Sequence, residues 1–181
     1  ITPPERSSAA SDVYKRQTML GLHAMQHRGQ EATGIVSFDG ETFHAKRGRG
    51  EVGEILNDET VLKSLAGNAA IGHNRYATTG EGTDQNIQPL FAEFSSGGFA
   101  IAHNGNLTNA SALHNRLLAS GSLFQSTTDT EVIIHLMARS MQANLVERLA
   151  DALHQVEGAF SLVALSRKKL IGVRDPLGIR P

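Results

Sequence analysis

The chain has 181 residues and a formal net charge of −1, from 17 Lys+Arg against 18 Asp+Glu, and it contains no cysteine. At roughly 100–200 residues per domain this is one domain, and the balanced charge offers neither a basic surplus for a nucleic-acid backbone nor an acidic tail. The lack of cysteine excludes disulfides, Cys-ligated zinc, iron–sulfur clusters and a thiol nucleophile within these residues. No apolar run reaches the roughly 18 residues of a membrane span, so a soluble protein is expected, with no nucleic-acid or membrane partner.

In chain order, residues 1–17 are expected to be irregular, because adjacent prolines and a Ser/Ala cluster come without an apolar period. Leu20, Leu22, Ala24 and Met25 predict a short helix that stops near His27, Arg28 and Gly29. Residues 33–38 and 43–46 read as strands joined at Asp39-Gly40, a hairpin signal. The spaced glycines of Gly48-Arg49-Gly50-Glu51-Val52-Gly53 lack the strand–turn–helix setting of a dinucleotide site and read as a loop. A helix over 59–66 and an apolar strand over 69–72 follow, then a mobile loop over 78–85 without apolar anchors. Residues 99–102 predict a buried strand running into His103-Asn104-Gly105.

Asn109 is placed to cap a helix over 110–119, with Gly121 as its stop. Thr128 and Glu131 have capping-box spacing ahead of the apolar stripe Val132, Ile133, Leu136 and Met137, which puts Asp129 in the first turn of that helix. A further helix over 145–156 precedes paired strands over 159–165 and 170–173. Helices and strands come in runs without βαβ alternation, which favours antiparallel sheets with packed helices.

Polar groups gather where apolar segments end, the places where a scaffold presents function. An arginine such as Arg75 at a strand end grips a carboxylate through two parallel hydrogen bonds. Asp129 answers an ammonium group, and the helix N-terminus favours its ionised form. Asn104 and Gly105 supply an amide NH₂ and an unhindered backbone N–H, a donor pair for a tetrahedral oxyanion. Each has a plainer reading taken alone: a surface ion pair for Arg75, a helix cap for Asp129 and a turn for Asn-Gly. His23 and His27 are four apart, yet no carboxylate-plus-His set accompanies them, so no metal site is expected.

Five ordered stretches span residues 18–181: His27-Arg28-Gly29-Gln30-Glu31, Gly72-His73-Asn74-Arg75-Tyr76, His103-Asn104-Gly105-Asn106-Leu107, Thr127-Thr128-Asp129-Thr130-Glu131, and the run from Arg174-Asp175-Pro176 to Ile179-Arg180-Pro181. Together they resemble the class II glutamine amidotransferases, and most of all the branch that opens de novo purine synthesis, the amidophosphoribosyltransferases. The resemblance implies an α+β fold of N-terminal-nucleophile hydrolase type, a four-layer αββα sandwich of two antiparallel sheets, here without its first strand. It also implies that an N-terminal Cys attacks the side-chain amide of glutamine with its own α-amino group as base, releasing ammonia for 5-phosphoribosylamine formation. On that resemblance Arg75 binds the glutamine α-carboxylate and Asp129 its α-amino group. Asn104 and Gly105 form the oxyanion hole, Arg28 supports the surroundings of the nucleophile, and the loop after Arg75 closes over glutamine.

The nucleophile has no counterpart here, so residues 1–17 are expected to be unrelated to the family, as from a misassembled 5′ end, and the chain as written is expected to be inactive. The domain over 18–181 is expected to be incomplete at both ends, a fragment of an enzyme whose phosphoribosyltransferase domain binds phosphoribosyl pyrophosphate with Mg²⁺. No cofactor is expected in these residues, and ligands of any iron–sulfur cluster would lie outside them. The resemblance further implies a cytoplasmic protein and, at full length, a homo-oligomer. The competing readings are a catalytically dead glutamine-binding domain, the glutaminase domain of another class II enzyme such as glucosamine-6-phosphate synthase, and a structural remnant.

Overall fold

In the computed structural model, which describes residues 8–56, 58–76 and 83–180, the strand β1 (Ala32–Phe38) is buried at every position. That is the pattern of a central strand covered on both faces, not the alternation of a half-exposed one. Its faces meet different partners. Ile35 packs with Leu22, Val52, Leu56 and Leu65 on the helix side, whereas Val36 and Phe38 pack with Ile71, Ala100 and Leu165 toward a second sheet.

The first sheet has the order β2-β1-β3, all antiparallel, with β2 (Phe43–Arg49) and β3 (Ala69–Arg75) flanking β1. Helices α1 (Ser8–Ala24), α2 (Val52–Ile55) and α3 (Glu59–Ser64) belong to its outer side. The second sheet has the order β4-β5-β6-β7, built from β4 (Leu90–Phe94), β5 (Gly97–Leu107), β6 (Gly158–Ser166) and β7 (Leu170–Arg174). Helices α4 (Ala110–Ala119), α5 (Asp129–Arg139) and α6 (Leu145–Leu153) cover it, burying Phe99, Ile101, Ile133, Met137 and Leu149 in the largest apolar cluster. The three clusters fill the three interfaces of an αββα sandwich, the expected fold. Among the described residues, β3 is an edge strand of the first sheet.

Several expectations are corrected. Residues 8–17 are helical, not irregular. Their sequence has no apolar stripe, but Met19 and Leu22 anchor the C-terminal turns on the sheet, and extending an anchored helix is far cheaper than starting one. Both site-bearing strands run further than their apolar cores, so His73-Asn74-Arg75 and His103-Asn104-Gly105 lie in β3 and β5, held by pairing with β1 and β6. Asn104-Gly105 is therefore not a turn. The glycine-rich segment holds α2, which Glu51 and Glu54 cap reciprocally. The capping box expected of Thr128 and Glu131 does not form; the Glu131 carboxylate accepts from Gln125 N, Ser126 N and Ser126 Oγ at 2.6–2.8 Å. Helix α6 ends at Leu153, and β4 carried no recognised signal. Most of the loop expected over 78–85 falls outside the described residues, and its end, Asp84–Asn86, is a 3₁₀ turn.

The Asp39-Gly40 hairpin forms as read. Asp39 Oδ1 accepts from Glu41 N and Thr42 N at 2.8 and 2.7 Å, and Oδ2 lies 2.7 Å from His44 Nε2. The His44 contact first, then the two backbone donors, hold the Asp39 pKa at about 2 against an ordinary 3.8. A folded value below the unfolded one means this stabilisation is full above about pH 4 and disappears as pH falls through about 2. Thermal melts over that interval should show an acid slope that Asp39→Ala lacks in part; identical slopes would refute the assignment. Gly34→Ala should cost about 1–3 kcal/mol in urea unfolding, since the new Cβ meets the Gln88 carbonyl oxygen and Arg47 Cγ; an unchanged midpoint would show that the strand can shift freely.

Candidate active site

β4 pairs with β5 only from Gly97 to Ile101. Beyond that point no strand among the described residues pairs with this edge of β5, and backbone N–H groups two residues apart point to the same side of a strand. Two of the open donors are met by side chains: His103 N–H donates to Gln88 Oε1 at 2.6 Å and Leu107 N–H to Asp129 Oδ2 at 3.0 Å. Gly105 lies between them, so its N–H faces the same edge and the cavity there. The residue must be glycine for a steric reason: a Cβ would press on the Ala159 carbonyl oxygen and come within 2.7 Å of Phe160 Cα and 2.8 Å of His103 Nε2.

The cavity has a volume of about 870 Å³ and is lined by Arg28, Arg75, Asn104, Gly105, Asp129 and Arg180 among others. All five residues singled out in the sequence therefore meet in one place, although they come from four separate segments. Arg28 closes the 3₁₀ turn Gln26–Arg28, which Gln26 holds in place by donating to Gly29 O and accepting from Val52 N. Gly29 lets this turn approach β3, since a Cβ there would come within 2.7 Å of the Arg75 carbonyl carbon. Arg75 ends β3, its Nε 4.0 Å from Glu31 Oε2. The ion pair expected of an ordinary arginine is thus only marginally made, and the side chain still lines the cavity. Asp129 is the first residue of α5, where the macrodipole favours a carboxylate.

Burial alone would raise the Asp129 pKa, but the His103 ring and the Leu107 and Thr130 N–H groups outweigh it and hold the carboxyl below its usual range. It is therefore ionised at neutral pH and has lone pairs left for a cation. Among the described residues no group of three or more His, Cys, Asp or Glu could hold a metal.

Sequence reading overlooked Asn86 and Gln88. Asn86 pairs reciprocally with Thr127, donating to its Oγ1 at 2.8 Å and accepting from its N–H at 2.9 Å. Gln88 bonds both His103 N and Thr130 Oγ1. The available signal was polar alternation around Ile87 immediately before Pro89, easily taken for the tail of a loop.

Burial also lowers His73 from 6.5 to about 4; a hydrogen bond with the His103 backbone opposes this, and the charges of His103 and Arg75 add to it. The unfolded chain takes up that proton near pH 6.5 and the folded chain only near 4, so stability falls as pH drops across this interval. His73→Gln should flatten the slope of urea midpoints there; a slope equal to wild type would exclude His73 as its source.

A family model described as a glutamine amidotransferase domain matches residues 73–181. The amidophosphoribosyltransferase of Rhizobium etli is 55% identical over 164 residues, which is 91% of this chain and 33% of that protein. That of Lacticaseibacillus casei is 44% identical over 91% of this chain and 84% of that sequence. The chain also resembles the solved Bacillus subtilis glutamine phosphoribosylpyrophosphate amidotransferase complexed with ADP and GMP, with a TM-score of 0.86 and 40% identity over 92% of this chain and 36% of the other. It thus spans about a third of the length of the first of these relatives and of the solved enzyme. The chain belongs to the amidophosphoribosyltransferase family and carries its glutamine amidotransferase domain.

Proposed function

We propose that the cavity binds L-glutamine and that the chain is the glutaminase part of an amidophosphoribosyltransferase, delivering ammonia for 5-phosphoribosylamine formation in de novo purine synthesis. The observation that carries this reading is one cavity lined at once by a guanidinium, an ionised carboxylate and outward amide donors, the complement of a zwitterion bearing a side-chain amide. Arg75 takes the α-carboxylate and Asp129 the α-ammonium. The side-chain carbonyl oxygen lies against Gly105 N–H and the Asn104 amide. When a nucleophile adds to the amide carbon, the carbonyl π pair moves onto that oxygen, and donors already aimed at it stabilise the charge without reorganising. Arg28 supports the surroundings of the attacking group.

None of the 181 residues is a cysteine, so these residues supply binding and oxyanion stabilisation and not the thiol. The acceptor chemistry belongs to a phosphoribosyltransferase domain of the same protein, where Mg²⁺ would bind phosphoribosyl pyrophosphate. The full-length protein acts as a cytoplasmic homo-oligomer. Among the described residues no helix is long and apolar enough to cross a membrane.

Calorimetric titration of the chain with glutamine tests the reading. Charge-assisted hydrogen bonds are each worth about 1.5–3 kcal/mol, so Arg75→Ala and Asp129→Asn should each weaken binding by roughly 10- to 150-fold. A folded wild-type chain that does not bind glutamine, or a folded Arg75→Ala that binds as tightly as wild type, would overturn it.

A further inference from the structure

Gln88 is buried, with 8% of its surface exposed, and sits outside the five sequence stretches that carry the resemblance. Its backbone is anchored on both sides. Arg47 Nη1 donates to Ile87 O at 3.1 Å and Pro89 O at 3.3 Å, and the missing Cβ of Gly34 leaves room for the Gln88 carbonyl. Two residues before it, Asn86 is locked to Thr127. The side chain is thus a fixed bridge between elements.

Its amide can lie only one way round. The His103 N–H is a donor, so the atom 2.6 Å from it is Oε1, and Nε2 is left to donate to Thr130 Oγ1 at 3.2 Å. The His103 ring comes next: Nδ1 lies 3.1 Å from Thr130 Oγ1 and 3.3 Å from Asp129 Oδ1. An ionised carboxylate only accepts, so Nδ1 carries the proton, shared between the hydroxyl and the carboxylate. Among the described residues Nε2 has no hydrogen-bond partner.

We propose that Gln88 is a positioning residue for the glutamine site: by tying β5 at His103 to α5 at Thr130, it sets Asp129 relative to Asn104 and Gly105. This rests on the glutamine reading above for its consequence, but its geometry is independent of any ligand. The oxyanion donors sit on β5 and the ammonium acceptor on α5, and no covalent feature sets the distance between them. Asp129 reaches β5 directly at Leu107 N–H and through the His103 ring, and Gln88 adds the bridge from the His103 backbone to the Thr130 side chain that braces these contacts. His103 on β5 lies 3.3 Å from Asp129, and the other charged and titratable groups lining the same cavity are His73 and Arg75 on β3, Arg28 on the 3₁₀ turn, and Arg180.

Three measurements test it. Gln88→Leu keeps the bulk and removes both bonds, and Gln88→Ala removes the bulk as well; thermal melts establish that each is folded. Carbon-detected NMR titration of the Asp129 carboxyl should then show a midpoint moved up toward 3.8, and glutamine affinity should fall about tenfold. An unmoved Asp129 midpoint in a folded variant overturns the proposal, as does a moved midpoint with glutamine affinity intact. Should both variants fail to fold, nitrogen NMR of His103 in the wild-type chain decides: Nδ1 must carry a proton, and a ring with Nδ1 unprotonated breaks the chain of contacts. A wild-type chain that binds no glutamine would defeat the functional reading instead, with the Asp129 titration still reporting on Gln88.

Discussion

Backbone donors left unpaired at the edge of a sheet must find acceptors or lose free energy, and in this molecule that requirement organises the site. β4 leaves β5 after Ile101, while β5 continues six residues further against β6 on its other side. The odd-numbered N–H groups of that extension face inward, and no strand among the described residues receives them. Gln88 takes the first, Asp129 takes the third, and Gly105 presents the middle one to the cavity. A strand that continued its pairing would have closed the cavity; one that stopped with β4 would have had no donors to offer.

The layers explain why the extension is rigid enough to serve. β5 is fully buried through His103, with Phe99 and Ile101 against the α4–α6 layer and Ala100 against the first sheet. Side chains alternate, so His103 falls on the same face as Phe99 and Ile101 and meets α5, while Asn104 falls on the other. The small residues at the crossings are where polypeptide meets polypeptide: Gly34 under the Gln88 carbonyl, Gly29 against the end of β3, and Gly105 against β6. Each lets a segment carrying a polar group come closer than a side chain would allow.

Much of this was legible in the residues. Apolar spacing located β1, β6, β7 and the cores of α4, α5 and α6, because those elements bury one regular face. Arg75 and Asn104-Gly105 stood out where apolar strands end and Asp129 at the start of an apolar helical stripe, whereas Arg28 was given its role by the family resemblance. The reading failed where local signals compete with tertiary ones. Polar His73-Asn74-Arg75 looked like the end of a strand, yet β1 carries the ladder through to Arg75. Asn109 looked like a side-chain cap, but it donates to Gln155 O and accepts from Glu157 N, fastening α4 to the start of β6 instead. Gln88 was invisible because its partners are 15 and 42 residues away.

The sequence by itself determined the residue chemistry: which groups carry charge, which lack a Cβ, the absence of any thiol, and the apolar periods that commit segments to helix or strand. Those properties are local, so they can be read along the chain. What only the tertiary structure decided is which donors stay unpaired and which side chains meet them. That depends on where one strand stops beside another and on contacts between residues distant in sequence. Neither hydropathy nor spacing encodes where β4 departs from β5, and the geometry of the cavity follows from that departure.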